Sequence, residues 1–149
     1  MRILCVCLGN ICRSPMAQGA LERRAEEAGL AVEVDSAGTG AWHIGNPPDP
    51  RGLAAAAARG YDNTAQRARQ IRNEDFDRFD LIVAMDRSNL STLERQRPEG
   101  ARARISLFHP DGHDIPDPYY GGPTDYENAL NLVEYAADAL IANFARKAD

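Results

Sequence analysis

Cysteine, lysine, histidine and tryptophan are all scarce in these 149 residues, and no long apolar run occurs. The three cysteines, Cys5, Cys7 and Cys12, fall within eight residues of one another. A disulfide scaffold scatters an even number along the chain, so this pattern points to reduced thiols and a cytoplasmic protein. The longest apolar run near the start, Ile3 to Leu8, stops at Gly9-Asn10. That is too short for a signal-peptide core and far too short to span a membrane. Lysine occurs once, as Lys147, and the remaining basic residues are arginine, whose planar fork suits ion pairs and oxyanions.

What is present is ordinary globular composition, 44% hydrophobic and 26% charged, which excludes a disordered or collagen-like chain. The length matches one domain, expected to cover residues 1–149, able to bury a core without disulfides or a structural metal. A net charge of −5 turns a mostly repelling surface toward nucleic acid and anionic membranes, so neither is expected as a partner. An anionic substrate must then be captured by a locally positive pocket.

No repeat, low-complexity tail or Gly/Ser linker divides the chain. Arg2 to Leu8 is apolar on both faces, as befits a strand buried in a parallel sheet. Pro15 suits the first turn of a helix, Met16, Ala17, Ala20 and Leu21 recur at helical spacing, and Gly29 is placed to stop it. Val32 to Ala37 reads as a second strand, Gly38 to Pro50 as a long loop, and Arg51 to Arg59 as an Ala-rich helix closed by Gly60. The alternation continues with a short helix at Glu74 to Phe79, a strand at Leu81 to Ala84, a helix at Asp86 to Gln96 and a strand at Ala103 to Leu107. After a loop from His109 to Pro123, Thr124 and Glu127 predict a capping box for a last helix with an apolar stripe from Tyr126 to Phe144. This order predicts an α/β fold, a doubly wound parallel sheet whose ligand binds beyond the carboxyl ends of the strands. The first such end is Cys7.

Cys7-Leu8-Gly9-Asn10-Ile11-Cys12-Arg13-Ser14 joins the first strand to the first helix. A Cys with an Arg six residues later proves little alone. Chance gives about a one-in-three expectation of such a pair in this composition. Its setting is more specific. A loop folded round an anion turns successive backbone N–H groups inward, and a helix start adds partial positive charge. Gly9 and Asn10 accept the left-handed backbone angles that such a loop needs. Arg13 can lay its fork on two oxyanion oxygens, and the same field stabilises a thiolate at Cys7, to which Ser14 can donate. A tetrahedral dianion cradled above a thiolate describes attack on a phosphate ester. The bland alternative is a buried strand cysteine beside a surface arginine. Cys5, on the same face as Cys7, reads as packing. Cys12 reads either as a filler or as the partner of a reversible disulfide that protects Cys7.

A thiolate attacking phosphorus also needs an acid for the leaving oxygen. Asp117, held between Pro116 and Pro118, has the restricted backbone of a fixed carboxyl, although a plain Asp-Pro turn looks the same. Tyr119, Tyr120 and Trp42 suit the walls of a slot for an aromatic ring, or else they pack their loops. His109, Asp111, His113 and Asp114 read as a solvated loop and not a metal site, because Pro110 and Gly112 break any helix that would align the histidines. Arg67, Arg69 and Arg72 form a basic cluster that reads as a solvated face or as a contact for an acidic peptide near the site.

Several stretches, in order along the chain, resemble the low-molecular-weight protein tyrosine phosphatases: VCLGNICRSPMA at Val6 to Ala17, DSAGT at Asp35 to Thr39, Trp42, FDLIVAMDRSNL at Phe79 to Leu90 and DPYY at Asp117 to Tyr120. The resemblance implies a four-stranded parallel sheet with helices on both faces. It implies Cys7 as nucleophile, Arg13 as oxyanion clamp and Asp117 as the proton donor that later activates water, with no metal or cofactor. Leu8, Gly9, Asn10, Ile11, Cys12 and Ser14 would form the phosphate loop, with Asn10, Ser14 and Ser36 at its supporting positions. Trp42, Tyr119 and Tyr120 would line the opening, and a phosphotyrosine protein or peptide would be the substrate. Some members carry a histidine in a network behind the loop, where this chain has Gln66. An arsenate reductase on this fold needs further cysteines, and none follows Cys12. A phosphoarginine phosphatase on the same fold would carry Thr where this loop has Ile11, whose apolar bulk favours a phenyl ring over a guanidinium.

Overall fold

The apolar run at the start of the chain forms strand β1 (Arg2–Cys7), buried from Ile3 onward. The computed structural model describes residues 1–148. After β1 come α1 (Arg13–Glu27), β2 (Glu33–Gly38), α2 (Pro50–Ala57) and α3 (Asp75–Arg78). The chain continues through β3 (Leu81–Ala84), α4 (Arg87–Gln96), β4 (Arg104–Leu107) and α5 (Pro123–Ala148). The four strands lie in the order β2-β1-β3-β4, and every neighbouring pair is parallel.

Alternation along β1 explains why both of its faces are apolar. Ile3, Cys5 and Cys7 point into a core shared with α1 and α5. Leu4 and Val6 point the other way, into a core with Phe76 of α3, Leu93 of α4 and Ile82 of β3. Helices therefore cover both faces, as the alternating sequence predicts. Each Leu or Ile buried in these cores contributes roughly 1.5–3 kcal/mol.

Glycine ends α1 as expected. Gly29 follows the C-cap with φ +67°, a conformation that side chains resist. The start of α5 differs from expectation. No Thr124–Glu127 box forms. The helix begins at Pro123, and Asp125 reaches back to accept the Gly122 backbone N–H at 2.8 Å. Proline at the first helical position has its φ already set and lacks the N–H that would need a cap. This moves the helix start upstream of Thr124.

The strand order reverses direction at β1, since β2 lies to one side and β3 to the other. The crevice beyond the carboxyl ends of β1 and β3 is where parallel sheets of this kind bind ligands. The segment from Cys7 to Arg13 and Asp86, just past β3, both lie there. Among the described residues, no helix is long and apolar enough to cross a membrane.

Candidate active site

Cys7 leaves the sheet still buried, and the chain turns sharply before α1 begins at Arg13. The turn depends on Asn10, whose φ of +58° makes it the one non-glycine residue with positive φ among those described. That conformation aims the Asn10 backbone N–H at Cys7 Sγ, 3.3 Å away. Ser14 Oγ lies 3.0 Å from the same sulfur. The Asn10 carboxamide fixes the arrangement, its Nδ2 donating to Ser14 Oγ at 2.8 Å and to Ser36 Oγ at 2.9 Å. No side chain caps the start of α1, so its first N–H groups stay free to receive an anion.

Arg13 is almost wholly buried, and one of its nitrogens is committed elsewhere. Nη1 donates to Asp86 Oδ2 at 2.6 Å and to the Ile115 carbonyl at 2.9 Å. Nε is buried without a protein partner, and Nη2 lies 3.7 Å from Asp117 Oδ2, too far for a hydrogen bond. The free edge of the guanidinium is the Nε–Nη2 fork that matches two oxygens of a tetrahedral oxyanion. Burial works against this charge, but the Cys7 sulfur, Asp86 and Asp117 outweigh it and raise the Arg13 pKa.

Asp117 sits in the loop before α5 with its carboxyl partly exposed, steadied by the Tyr119 backbone N–H donating to Oδ1 at 3.1 Å. Cys7, Leu8, Gly9, Ile11, Cys12, Arg13, Trp42, Asp117, Tyr119 and Tyr120 all line one cleft of about 410 Å³. Trp42 and Tyr120 are 71% and 95% exposed, which puts them at the rim, while Ile11 is buried deeper. Tyr119 and Tyr120 pack edge to face at 4.9 Å. A larger groove of about 600 Å³ lies beside α1 and residues 60–67 and contains no cysteine.

Cys5 and Cys12 contrast with Cys7. Cys5 is fully buried in the core, as expected. Burial pushes the Cys12 thiol up to about 12, with Asp49 adding to the rise and the Tyr126 hydroxyl pulling against it. Gln66 donates to the Pro15 carbonyl at 3.2 Å and touches neither Asn10 nor Ser14 by hydrogen bond. His109 is buried against His113 and Tyr135 and accepts the Asp111 N–H, away from the cleft.

Three residues of the site escaped the sequence reading. His43 lines the cleft, with Cδ2 3.0 Å from where a side chain on Gly9 would begin. Asp86 neutralises Arg13 from the end of β3, and the rule placing ligands beyond strand ends would have singled it out. Arg69, read as part of a solvated face, donates its backbone N–H to Asn10 Oδ1 at 2.9 Å and holds an ion pair with buried Asp75. No local pattern signals that contact.

Comparison with known proteins assigns the chain to a family. The family model for low molecular weight phosphotyrosine protein phosphatase matches residues 2–149. A curated relative from Schizosaccharomyces pombe, a low molecular weight phosphotyrosine protein phosphatase, is 42% identical, over 94% of this chain and 95% of its own. A crystal structure of a protein tyrosine phosphatase from Entamoeba histolytica, with Hepes in the active site, superimposes with a TM-score of 0.93 at 33% identity, covering 100% of this chain and 99% of that one. A Drosophila arginine phosphatase superimposes with a TM-score of 0.91 at 32% identity, covering 97% of this chain and 98% of the other. Matched along nearly its whole length in both sequence and fold, the chain belongs to the low molecular weight phosphotyrosine protein phosphatase family, a family of hydrolases.

Proposed function

We propose that residues 1–149 act as one phosphatase domain that hydrolyses phosphotyrosine, and small aryl phosphates, through a phosphocysteine on Cys7. The observation that carries the reading is the convergence on one cleft of a doubly hydrogen-bonded Cys7 sulfur, the free fork of Arg13 and the carboxyl of Asp117. The Cys7 thiolate attacks phosphorus and the bond from phosphorus to the phenolic oxygen breaks. Asp117 delivers its proton to that oxygen, so free tyrosine leaves. Water then attacks the phosphocysteine. Asp117, now a carboxylate, takes the proton, the P–S bond breaks, and inorganic phosphate departs with the thiolate restored. Arg13 and the amides of Leu8 to Ser14 bind the phosphoryl oxygens as their charge grows. Ser14, already accepting from Asn10, directs its hydrogen toward the sulfur when the thiolate leaves.

Trp42, Tyr119 and Tyr120 at the mouth, with Ile11 within, make an apolar slot suited to a phenyl ring. The likeness to an arginine phosphatase keeps phosphoarginine as the rival substrate class. Against it stands Ile11, which offers a guanidinium no hydrogen-bond partner. The relative with Hepes in its active site supports the oxyanion reading, since that buffer carries a sulfonate. Three free cysteines suit a reducing, cytoplasmic setting.

The test is turnover of p-nitrophenyl phosphate. Cys7→Ser should be inactive at every pH. Asp117→Asn should be slower by roughly two to four orders of magnitude, the usual share of a general acid. Activity surviving in Cys7→Ser would overturn the mechanism. Phosphotyrosine and phosphoarginine peptides compared side by side decide the substrate class, and faster turnover of phosphoarginine would reverse the assignment.

A further inference from the structure

The left-handed turn at Asn10 aims an amide at Cys7, and its carboxamide is held at both ends. Nδ2 reaches Ser36 on β2, whereas Oδ1 accepts one hydrogen bond, from the backbone N–H of Arg69. Arg69 lies between α2 and α3 in a stretch that forms no helix. Two backbone bonds tie this stretch to the end of β2: Gly38 N–H to the Arg69 carbonyl at 2.8 Å, and Ile71 N–H to the Gly38 carbonyl at 2.9 Å.

The Arg69 side chain adds a second tie. Its Nη1 and Nη2 donate to both oxygens of Asp75, at 2.9 and 3.2 Å, and Nε and Nη2 to Asp35 Oδ2, at 3.2 and 3.1 Å. The Asp75 side chain is only 2% exposed, and it also accepts the Arg72 N–H at 2.7 Å. Asp35 is the neighbour of Ser36. The Asp35–Arg69 pair therefore links the two anchors of the Asn10 carboxamide, one at each end. Burial opposes the Arg69 charge, and the two carboxylates outweigh it.

We infer that Arg69, clamped between Asp35 and Asp75, is a positioning residue that holds Asn10 in its left-handed turn and thereby sets the hydrogen bonds on the Cys7 sulfur. The inference rests on the phosphatase reading above. Arg69 touches neither sulfur nor phosphate; it acts through Asn10. Gln66, at the position where some members of the family carry a histidine, is bonded to Pro15 and does not hold the Asn10 carboxamide. A loosened Asn10 displaces an amide that must meet charge in the transition state, so kcat suffers more than KM.

The experiment compares Arg69→Met, Arg69→Lys and Asp35→Asn with Arg102→Met, which removes a surface ion pair to Asp80 far from the cleft. Turnover of p-nitrophenyl phosphate is measured together with the rate at which iodoacetate alkylates Cys7. Arg69→Met should lower kcat by about tenfold to a hundredfold, the scale of a small misplacement of reacting groups. KM should change less, and alkylation should slow. Asp35→Asn should move both readouts the same way by less, Arg69→Lys should recover part of the loss, and Arg102→Met should match the native protein. A folded Arg69→Met with native kcat and native alkylation rate overturns the inference. Where Arg69→Met fails to fold, the half-exposed Asp35→Asn decides, and native values for both readouts there overturn it equally. A native protein with no turnover defeats the phosphatase reading instead, and the alkylation rates of the variants then decide the role of Arg69 by themselves.

Discussion

Asp86 Oδ2 lies 2.6 Å from Arg13 Nη1, and Oδ1 of the same carboxylate accepts the Asn89 backbone N–H at 2.7 Å as the N-cap of α4. One side chain thus starts a helix and orients the guanidinium of the cleft. The two roles separate on substitution, because asparagine caps a helix as well as aspartate does but carries no charge.

Asp86→Asn should therefore keep the α4 cap but loosen Arg13 and leave its buried charge less compensated, so the melting temperature should fall through the lost pair and not through the cap. A charge-assisted hydrogen bond contributes about 1.5 kcal/mol or more, so kcat/KM should fall by roughly tenfold or more. Steady-state kinetics with p-nitrophenyl phosphate beside a thermal melt checks both halves. A native kcat/KM would show that Arg13 is oriented by Ile115 and packing alone.

The three cysteines should separate cleanly by reactivity. Burial lifts the Cys5 thiol well above its ordinary value, and Cys12 is pushed up to about 12, so both stay protonated at pH 7. Limited alkylation at that pH, followed by peptide mass analysis, should find the label on Cys7 first, and inorganic phosphate should slow it. Labelling of Cys12 at the rate of Cys7 would contradict this ordering.

Acid should weaken the joint between α1 and α5. Glu134 on α5 meets the Tyr61 hydroxyl at 2.6 Å, Arg24 of α1 at 3.3 Å and Arg59. Burial pushes its carboxyl up, but these partners outweigh burial and hold it below the ordinary value of 4.5. Both folded and unfolded chains are ionised well above that value, where the stabilisation is complete. As pH falls, the unfolded chain takes the proton first, and stability is lost through the lowered folded pKa. Glu134→Gln should thus be less stable by about 1–2 kcal/mol at pH 7 in urea, and the gap should close in acid. A gap independent of pH would remove the electrostatic account.

The alternation of strands and helices was legible because it is written in short-range patterns. Ile3 to Cys7 is apolar at every position, as only a strand covered on both faces needs to be. Gly29 and Asn10 stand where the backbone turns left-handed. The start of α5 was misread because two capping patterns overlap there, and Pro123 with Asp125 prevails over Thr124 with Glu127.

Sequence alone determined the character of the segment from Cys7 to Ser14, because a buried strand, a turn tolerant of positive φ and a helix start are each decided by neighbouring residues. Tertiary structure alone decided which distant groups serve it. The chain has 22 acidic residues; Asp117 is marked in the sequence by its flanking prolines, but only folding brings it to Arg13 and selects Asp86 to face Arg13, and Asp35 and Asp75 to grip Arg69. Asp75 is only six residues from Arg69, but the other partners come from far along the chain, and Asp86 meets Arg13 because parallel strands bring their carboxyl ends to one edge of the sheet. Spacing along a chain carries no record of that convergence.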